Sequence, residues 1–353
     1  MSTLASILIC TRDRLPDLRE TLASVGALDV PPGLKAELVV MNNSSSDGTA
    51  AWVRGTSLPN MPVRLVEEPR AGVGFARTTA LRAAHGEVLL FTDDDVRLPA
   101  NWLEAMCAPI LAGTAEVVGG ASALAEDLQR PWMTAFHRAA LSSSEDRSPE
   151  ERPGPITISM AFHRRVLERV PAFDPELGPG SRCGAIEDVL FTAQLKEAGF
   201  RFARVNNAPV AHHADASRLT RRAFLSAARR RGQSMAYLRY HWHHWTAAQF
   251  THRKRRWELW RHPYAVLVKR WMHLWLWRLR HPGELRRSEG IVPEEFAFVN
   301  LWWQMRQYLV ERKRPHNYER RGLVKRRGVL PDAAAQKADA RSETSRPVSA
   351  PED

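Results

Sequence analysis

The first 120 residues alternate between short apolar runs and segments of helical period, and no other feature constrains the fold as much. Ser6 to Cys10 (SILIC), Ala36 to Asn42 (AELVVMN), Val63 to Glu68 (VRLVEE), Glu87 to Phe91 (EVLLF) and Ala115 to Gly120 (AEVVGG) have the length and composition of strands. Between the first two, Leu15, Leu18, Leu22 and Val25 recur at steps of three or four and predict a helix. Residues 74 to 86 (GFARTTALRAAHG) predict another, closed by Gly86 as its C-terminal cap, and Asn101 to Leu111 a third. Strands that alternate with helices pair mostly in parallel and are covered on both faces. The chain therefore reads as α/β, a mostly parallel sheet flanked by helices. Ligands of such sheets gather at the carboxyl ends of the strands. There this chain places Thr11-Arg12-Asp13, the run Asn42 to Thr49, and Asp93 to Asp95.

Three adjacent aspartates at the end of a buried strand repel one another and resist desolvation. The stretch is either a solvated turn or the seat of a cation, and the apolar run before it favours the cation. Asp-x-Asp suits Mg²⁺ or Mn²⁺, which take carboxylate oxygens together with substrate phosphates. Asp93 and Asp95 are read as the metal and diphosphate pair, brought together by a turn at Thr92, with Asp94 facing elsewhere, toward a ribose or solvent. Gly72 and Gly74 do not form a dinucleotide fingerprint, because Arg77 stands in the third glycine's place. The segment is a flexible loop before a helix, or it brings Arg77 to an anion. Glu187 and Asp188 open a helix, where acids favour the dipole; the alternative is a general base. His212 and His213 end an extended segment, as surface residues or as ligands of Mn²⁺.

Residues 142 to 155 form a polar, Pro-rich loop, read as a lid or a mobile surface insertion. Ile156 to Val170 reads as a strand entering a helix. From about residue 218 the composition changes: nine of the 12 tryptophans lie between Trp242 and Trp303, among Arg, Lys and His. Trp257, Trp260, Tyr264, Leu267, Trp271, Leu274 and Trp275 line one helical stripe. That region packs on the sheet, lies on an anionic membrane surface, or binds nucleic acid, the last ranking third. A net charge of +12 favours an anionic partner. Cys10, Cys107 and Cys183 form no disulfide framework, and the N-terminus has no signal-peptide pattern, so a cytoplasmic protein is expected. The last twenty or so residues read as disordered.

In order and spacing, SILICTRDR, ELVVMNNSSSDGT, RAGVGFARTTALRAAHGEVLLFTDDDVRLPANWLEAM and AIEDVLFTAQLKEAGFRF resemble glycosyltransferase family 2, over roughly residues 4 to 240. The resemblance implies a GT-A, Rossmann-like fold and an inverting, metal-dependent transfer from a nucleotide-diphosphate sugar to a saccharide or lipid-linked acceptor of the cell-envelope kind. It implies nucleotide-sugar contacts at Thr11, Arg12, Asn42, Asp47, Arg77, Asp93 and Asp94. Asn42 stands where the family often has aspartate, and Thr78 where it often has asparagine. Asp93, Asp95 and His212 would hold Mn²⁺ or Mg²⁺, and Asp188, beside Glu187, would be the base. The expected division is a catalytic domain over 1–217 (nucleotide half to about 120, acceptor half beyond it), a helical basic and aromatic extension over 218–330, and a tail over 331–353. The extension would rest on the inner face of the cell membrane. A sugar-phosphate nucleotidyltransferase, or a non-enzymatic basic protein that binds nucleic acid or membrane, are the competing readings. The first would favour a Gly-rich basic loop after the opening strand, and CTRDRLPD has no glycine.

Overall fold

The first strand, β1 (Thr3–Thr11), is buried on both faces through Ala5, Ile7, Leu8 and Ile9, and so it takes the middle of a sheet. A computed structural model describes residues 3–145, 154–242, 263–282 and 290–317. After β1 come α1 (Leu15–Gly26), β2 (Leu34–Asn42), α2 (Thr49–Arg54), β3 (Val63–Glu67), α3 (Val73–Ala83), β4 (Val88–Thr92), β5 (Val96–Arg97), α4 (Trp102–Leu111) and β6 (Val117–Leu124). They are followed by α5 (Ala135–Ala140), β7 (Ser159–His163), α6 (Glu187–Glu197), β8 (Phe202–His212) and α7 (Arg221–His241). Two more helices, α8 (Pro263–Arg280) and α9 (Pro293–Glu311), complete the described elements.

The eight strands form one sheet in the order β3-β2-β1-β4-β7-β6-β8-β5. The N-terminal four are parallel throughout, as the alternation predicts. Beyond β4 the sheet is mixed: β7 runs antiparallel to both β4 and β6, β6 and β8 are parallel, and β5 is antiparallel to β8. Ile7, Ile9, Leu38, Val40 and Leu90 face α1 and α4, and Leu8, Val39, Met41, Leu89 and Phe91 face α3 and α6. Period-two alternation with both faces apolar explains why these strands read as unbroken hydrophobic runs.

Three local expectations are corrected. Gly86 does not cap α3, which ends at Ala83; a Cβ there would lie 2.7 Å from Leu4 O and Ser6 N of β1, so the glycine serves a close backbone approach. The segment after β7 is a 3₁₀ turn over Arg164–Glu168 rather than an α-helix. The tryptophan stripe splits: Leu267 and Leu274 are buried, while Trp271 and Trp275 are exposed. Trp257, Trp260, the Tyr264 side chain, most of the Pro-rich loop and the 331–353 tail lie outside the described residues. The three cysteines are free.

The C-terminal helices are tied to the catalytic sheet through the 174–183 loop. The α9 helix packs along α7, where a Cβ on Gly232 would strike Asn300 O at 2.3 Å. Glu311, at the end of α9, is fully buried. It accepts from His241 Nε2 (3.1 Å) and from the guanidinium of Arg182, in the 174–183 loop. That loop is also held by Asp174, which accepts from Tyr237 Oη (2.7 Å) and Trp242 Nε1 (3.3 Å).

Candidate active site

The polar strand ends are stitched together before any charge is considered. Asp13, at φ 51°, accepts from the Ser46 amide at 2.6 Å, and Asn42 Oδ1 accepts from the Ser45 amide at 3.0 Å. Asp47 accepts from the Leu15 amide (2.9 Å) and from Thr49, so one carboxylate serves the first turns of both α1 and α2. These bonds, that to Thr49 foremost, hold its pKa below the usual carboxylate range. Asn43 donates to Glu68 O and Arg70 O and accepts from the Gly72 amide, tying β2 to the start of α3. Arg12 is exposed and lies 3.7 Å from Asp13; it does not join the aspartates.

The three aspartates divide between two arginines. Asp93 faces Arg77, Oδ1 to Nη2 3.5 Å, and the other Nη of Arg77 bonds Glu187. Asp94 and Asp95 turn the other way and share one guanidinium nitrogen of Arg14, at 3.0 and 2.8 Å. The expected pairing of Asp93 with Asp95, and Asp94 turned to ribose or solvent, is thus corrected: Asp94 is 5% exposed and sits with Asp95. The turn is fixed from α1, where the Thr21 hydroxyl lies 2.8 Å from Asp94 O and 2.9 Å from Val96 O. The buried Thr11 hydroxyl has no well-formed hydrogen bond, although it lies near enough to Asp94 to favour that carboxylate's charge.

Each carboxyl answers to its surroundings. Burial pushes Asp94 up to about 7, with Arg14 opposing and Asp95 adding. Asp95 is held below the usual range, because His212 and Arg14 outweigh its burial. Asp93 is held up by burial and by Asp95 against the pull of Arg77, although 35% of its side chain is exposed. Arg77 is itself buried, yet Glu187 and Asp93 raise its pKa further and keep it charged. Cys10, behind this cluster, is pushed up to about 12 by burial and is not a thiolate.

Pairing of β5 with β8 sets Val96 opposite His212, so His212 reaches Asp95 from a distant part of the chain. Its Nδ1 lies 2.8 Å from Leu141 O, a pure acceptor, so Nδ1 carries the proton. Nε2 of the ring faces Asp95 Oδ2, 3.4 Å away. With Nδ1 fixed on Leu141 O, Nε2 and the Asp95 carboxylate are the two groups that a cation could take as ligands here. Among the described residues no three His, Cys, Asp or Glu gather into a ready-made metal cluster. A pair completed by substrate phosphates is the donor set that Mg²⁺ or Mn²⁺ accepts. His213 turns aside, toward Asp127.

On the other side, α6 opens at Ile186, a β-branched residue at φ 62°, a conformation such residues avoid. This turn sets Glu187 inward onto Arg77 and leaves Asp188 partly exposed. Asp188 accepts from its neighbour's amide, Val189 N, at 2.7 Å. Burial and the Glu187 charge push it up to about 7, against Arg77. The 174–183 loop roofs this pair: a Cβ on Gly178 would sit 2.7 Å from Glu187 Cδ, and one on Gly74 2.6 Å from Asp174 O. Thr78 accepts from the Phe173 amide at 3.1 Å and so has a packing role.

Strand ends carrying a charged turn, on a sheet parallel at one half and mixed at the other, give the chain a GT-A fold. Residues 6–170 match the family described as Glycosyl transferase family 2. The succinoglycan biosynthesis protein ExoM of Rhizobium meliloti (strain 1021) is 33% identical over 118 residues, 33% of this chain and 36% of that protein. The match thus spans about a third of that relative's length. The mannosyltransferase PcManGT from Pyrobaculum calidifontis, solved with GDP-Man and Mn²⁺, superposes with a TM-score of 0.50 at 19% identity, over 98% of this chain and 82% of that one. S. aureus TarS 1-349 with UDP-GlcNAc gives 0.45 at 21% identity, over 65% of each chain. The likeness to the mannosyltransferase speaks for the fold alone.

Proposed function

We propose that the protein moves a sugar from a nucleotide-diphosphate sugar to an acceptor hydroxyl with inversion at the anomeric carbon, and that Asp188 is the general base. One observation carries this reading. Arg77 holds Glu187 and Asp93 at once, which sets a carboxyl of pKa about 7 across one guanidinium from the aspartate turn. A base poised near neutrality is ionised enough to act and basic enough to take a hydroxyl proton, an effect typically worth about 10²–10⁴-fold. Glu187, bound to Arg77, positions Asp188 and does not itself take the proton.

On this reading Thr11, Arg12, Asn42 and Asp47 rim the nucleotide, with Asp47 and Asn42 acting largely by shaping the loop. Arg77 and Arg14 hold the aspartates in place, and Asp94 fixes Arg14. Asp95 and His212 would hold Mn²⁺ or Mg²⁺, which when bound supplies positive charge to the departing diphosphate, while Asp93 stays with Arg77. ExoM is named for succinoglycan biosynthesis, which favours a saccharide or lipid-linked acceptor in the building of a cell-envelope polysaccharide. We place the protein in the cytoplasm, against the inner face of the membrane. No described helix is long and apolar enough to cross a membrane.

The test is a screen of nucleotide sugars for nucleotide release and for protection from thermal unfolding, with Mn²⁺, with Mg²⁺ and with chelator. A ligand that binds only the folded state raises Tm according to its concentration over Kd. One donor should stand out, only with metal, and Asp95→Asn should lose that protection. Full protection and turnover in chelator would remove the metal from the proposal, and no response to any donor would remove the activity.

A further inference from the structure

Helix α8 carries two apolar stripes, and only one is used. Leu267 and Leu274 are buried, 7% and 5% exposed, on a helix that packs against α9. Val268, Trp271, Met272, Trp275, Leu276 and Leu279 follow one another at steps of three, one, three, one and three, which places all six along one side of the helix. All six stand outward, from 38% exposed at Leu276 to 60% at Leu279. Six large apolar side chains in one strip exceed the scattered exposure normal for a protein surface.

The charges around this strip have one sign. Residues 263–280 contain no Asp or Glu. Lys269 and Arg280 fall beside the strip on one flank and Arg278 on the other, by the helical angle of about 100° per residue. Arg278 lies 3.7 Å from Glu295 of α9. Lys269 and Arg280 have no carboxylate partner among the described residues. Trp277, by contrast, leaves the strip and stacks on His281 with ring centroids 4.6 Å apart. Apolar and indole side chains rimmed by cations, on a helix too charged to span a bilayer, match the chemistry of an interfacial helix.

We propose that this face of α8 lies in the surface of an anionic phospholipid bilayer, with Trp271 and Trp275 at headgroup depth and Lys269 and Arg280 over acidic lipid. The proposal deepens the membrane-surface reading above and is independent of the catalytic one. A protein partner would need acids to match this rim, and a second copy would bring like charges together.

The experiment is flotation of the full chain with vesicles of phosphatidylcholine alone and of phosphatidylcholine with about a third phosphatidylglycerol, read at low and high salt. Binding is expected to the anionic vesicles and to weaken with salt. Replacing Trp271, Trp275 and Leu279 together by serine should lower bound protein at least about tenfold. K269E/R280E should erase the preference for acidic lipid. Quenching of tryptophan fluorescence by brominated lipid, measured on the unaltered protein, checks the insertion without relying on a variant's folding. The proposal is overturned if the unaltered protein does not float, if the triple variant floats as well as it does, or if light scattering shows a dimer that the variant dissociates. Nucleotide-sugar turnover in vesicle-free buffer is read on the same samples. Lost flotation with normal turnover strikes this proposal alone, and normal flotation without turnover strikes only the catalytic reading.

Discussion

Replacing Asp188 by asparagine separates a base from a structural acid, because the two roles give opposite stability effects. The Asp188 pKa of about 7 arises from burial and from Glu187 beside it, opposed by Arg77 and the Val189 amide. An essential base of that pKa is about half ionised at pH 7, about 9% ionised at pH 6 and about 1% at pH 5, so kcat/KM should fall about tenfold per pH unit on the acid side. Asp188→Asn should lower turnover at least about 10²-fold and leave donor protection from unfolding intact. The stability effect follows from linkage. A folded pKa raised above the unfolded value near 4 means that the folded state binds this proton more tightly. The carboxyl is then neutral to stability below pH about 4, costs progressively more between about 4 and 7, and costs a constant amount above. At about 1.4 kcal/mol per pH unit the ceiling is about 4 kcal/mol, and solvent screening at the partly exposed side chain keeps the real figure well below it. The variant should therefore match the parent at pH 4 and exceed its stability at pH 8, read by urea unfolding at both. Nucleotide release with the donor found by screening, followed from pH 5 to 8, completes the assay. A flat kcat/KM profile, or a variant less stable than the parent at pH 8, would refute the reasoning.

Arg77→Met should cost about 3–5 kcal/mol, since it strands the buried Glu187 and frees Asp93. Adding Glu187→Gln should restore much of the loss, and a double-mutant cycle by chemical denaturation measures the coupling. Glu311→Ala should cost a similar amount at pH 7 by leaving Arg182 and His241 without their shared acceptor. The Glu311 pKa is lowered to about 2, because His241 and Arg182 outweigh its burial. Its stabilisation is present above pH about 4.5 and is lost as pH falls toward 2, so the Tm gap to the parent should narrow in acid.

The alternation of the first half was legible because each strand is buried on both faces, so its residues have little freedom but to be apolar. The aspartate turn was legible for the converse reason, a cost in charge at the end of such a strand. Arg14 was missed, although a signal existed. It stands at the first residue before α1, where the helix dipole disfavours a cation, and only Asp94 and Asp95 opposite make that placement favourable. The division of the three aspartates was not legible, since it is set by Thr21 and by two arginines from other elements. Nor was the His212 contact, which depends on the two-residue pairing of β5 with β8. Periodicity in α8 identified an apolar stripe but not which part of it would find a partner. Gly86 looked like a cap because a glycine after a helix usually is one; its neighbour is a strand from the start of the chain.

The bond from Glu311 to Arg182 closes a gap of 129 positions, and it sets the order in which the protein becomes complete on the ribosome. The strand ends, both arginines and the Glu187–Asp188 pair have all been synthesised while α9 is still to come. Domains fold from the N-terminus as they emerge, at about 5–20 residues per second, so the growing chain has its charged groups for several seconds before the roof over Glu187 is fastened. A chain released early, anywhere between the end of β8 and the end of α9, keeps every residue assigned here to chemistry and lacks the clasp that holds the loop over them.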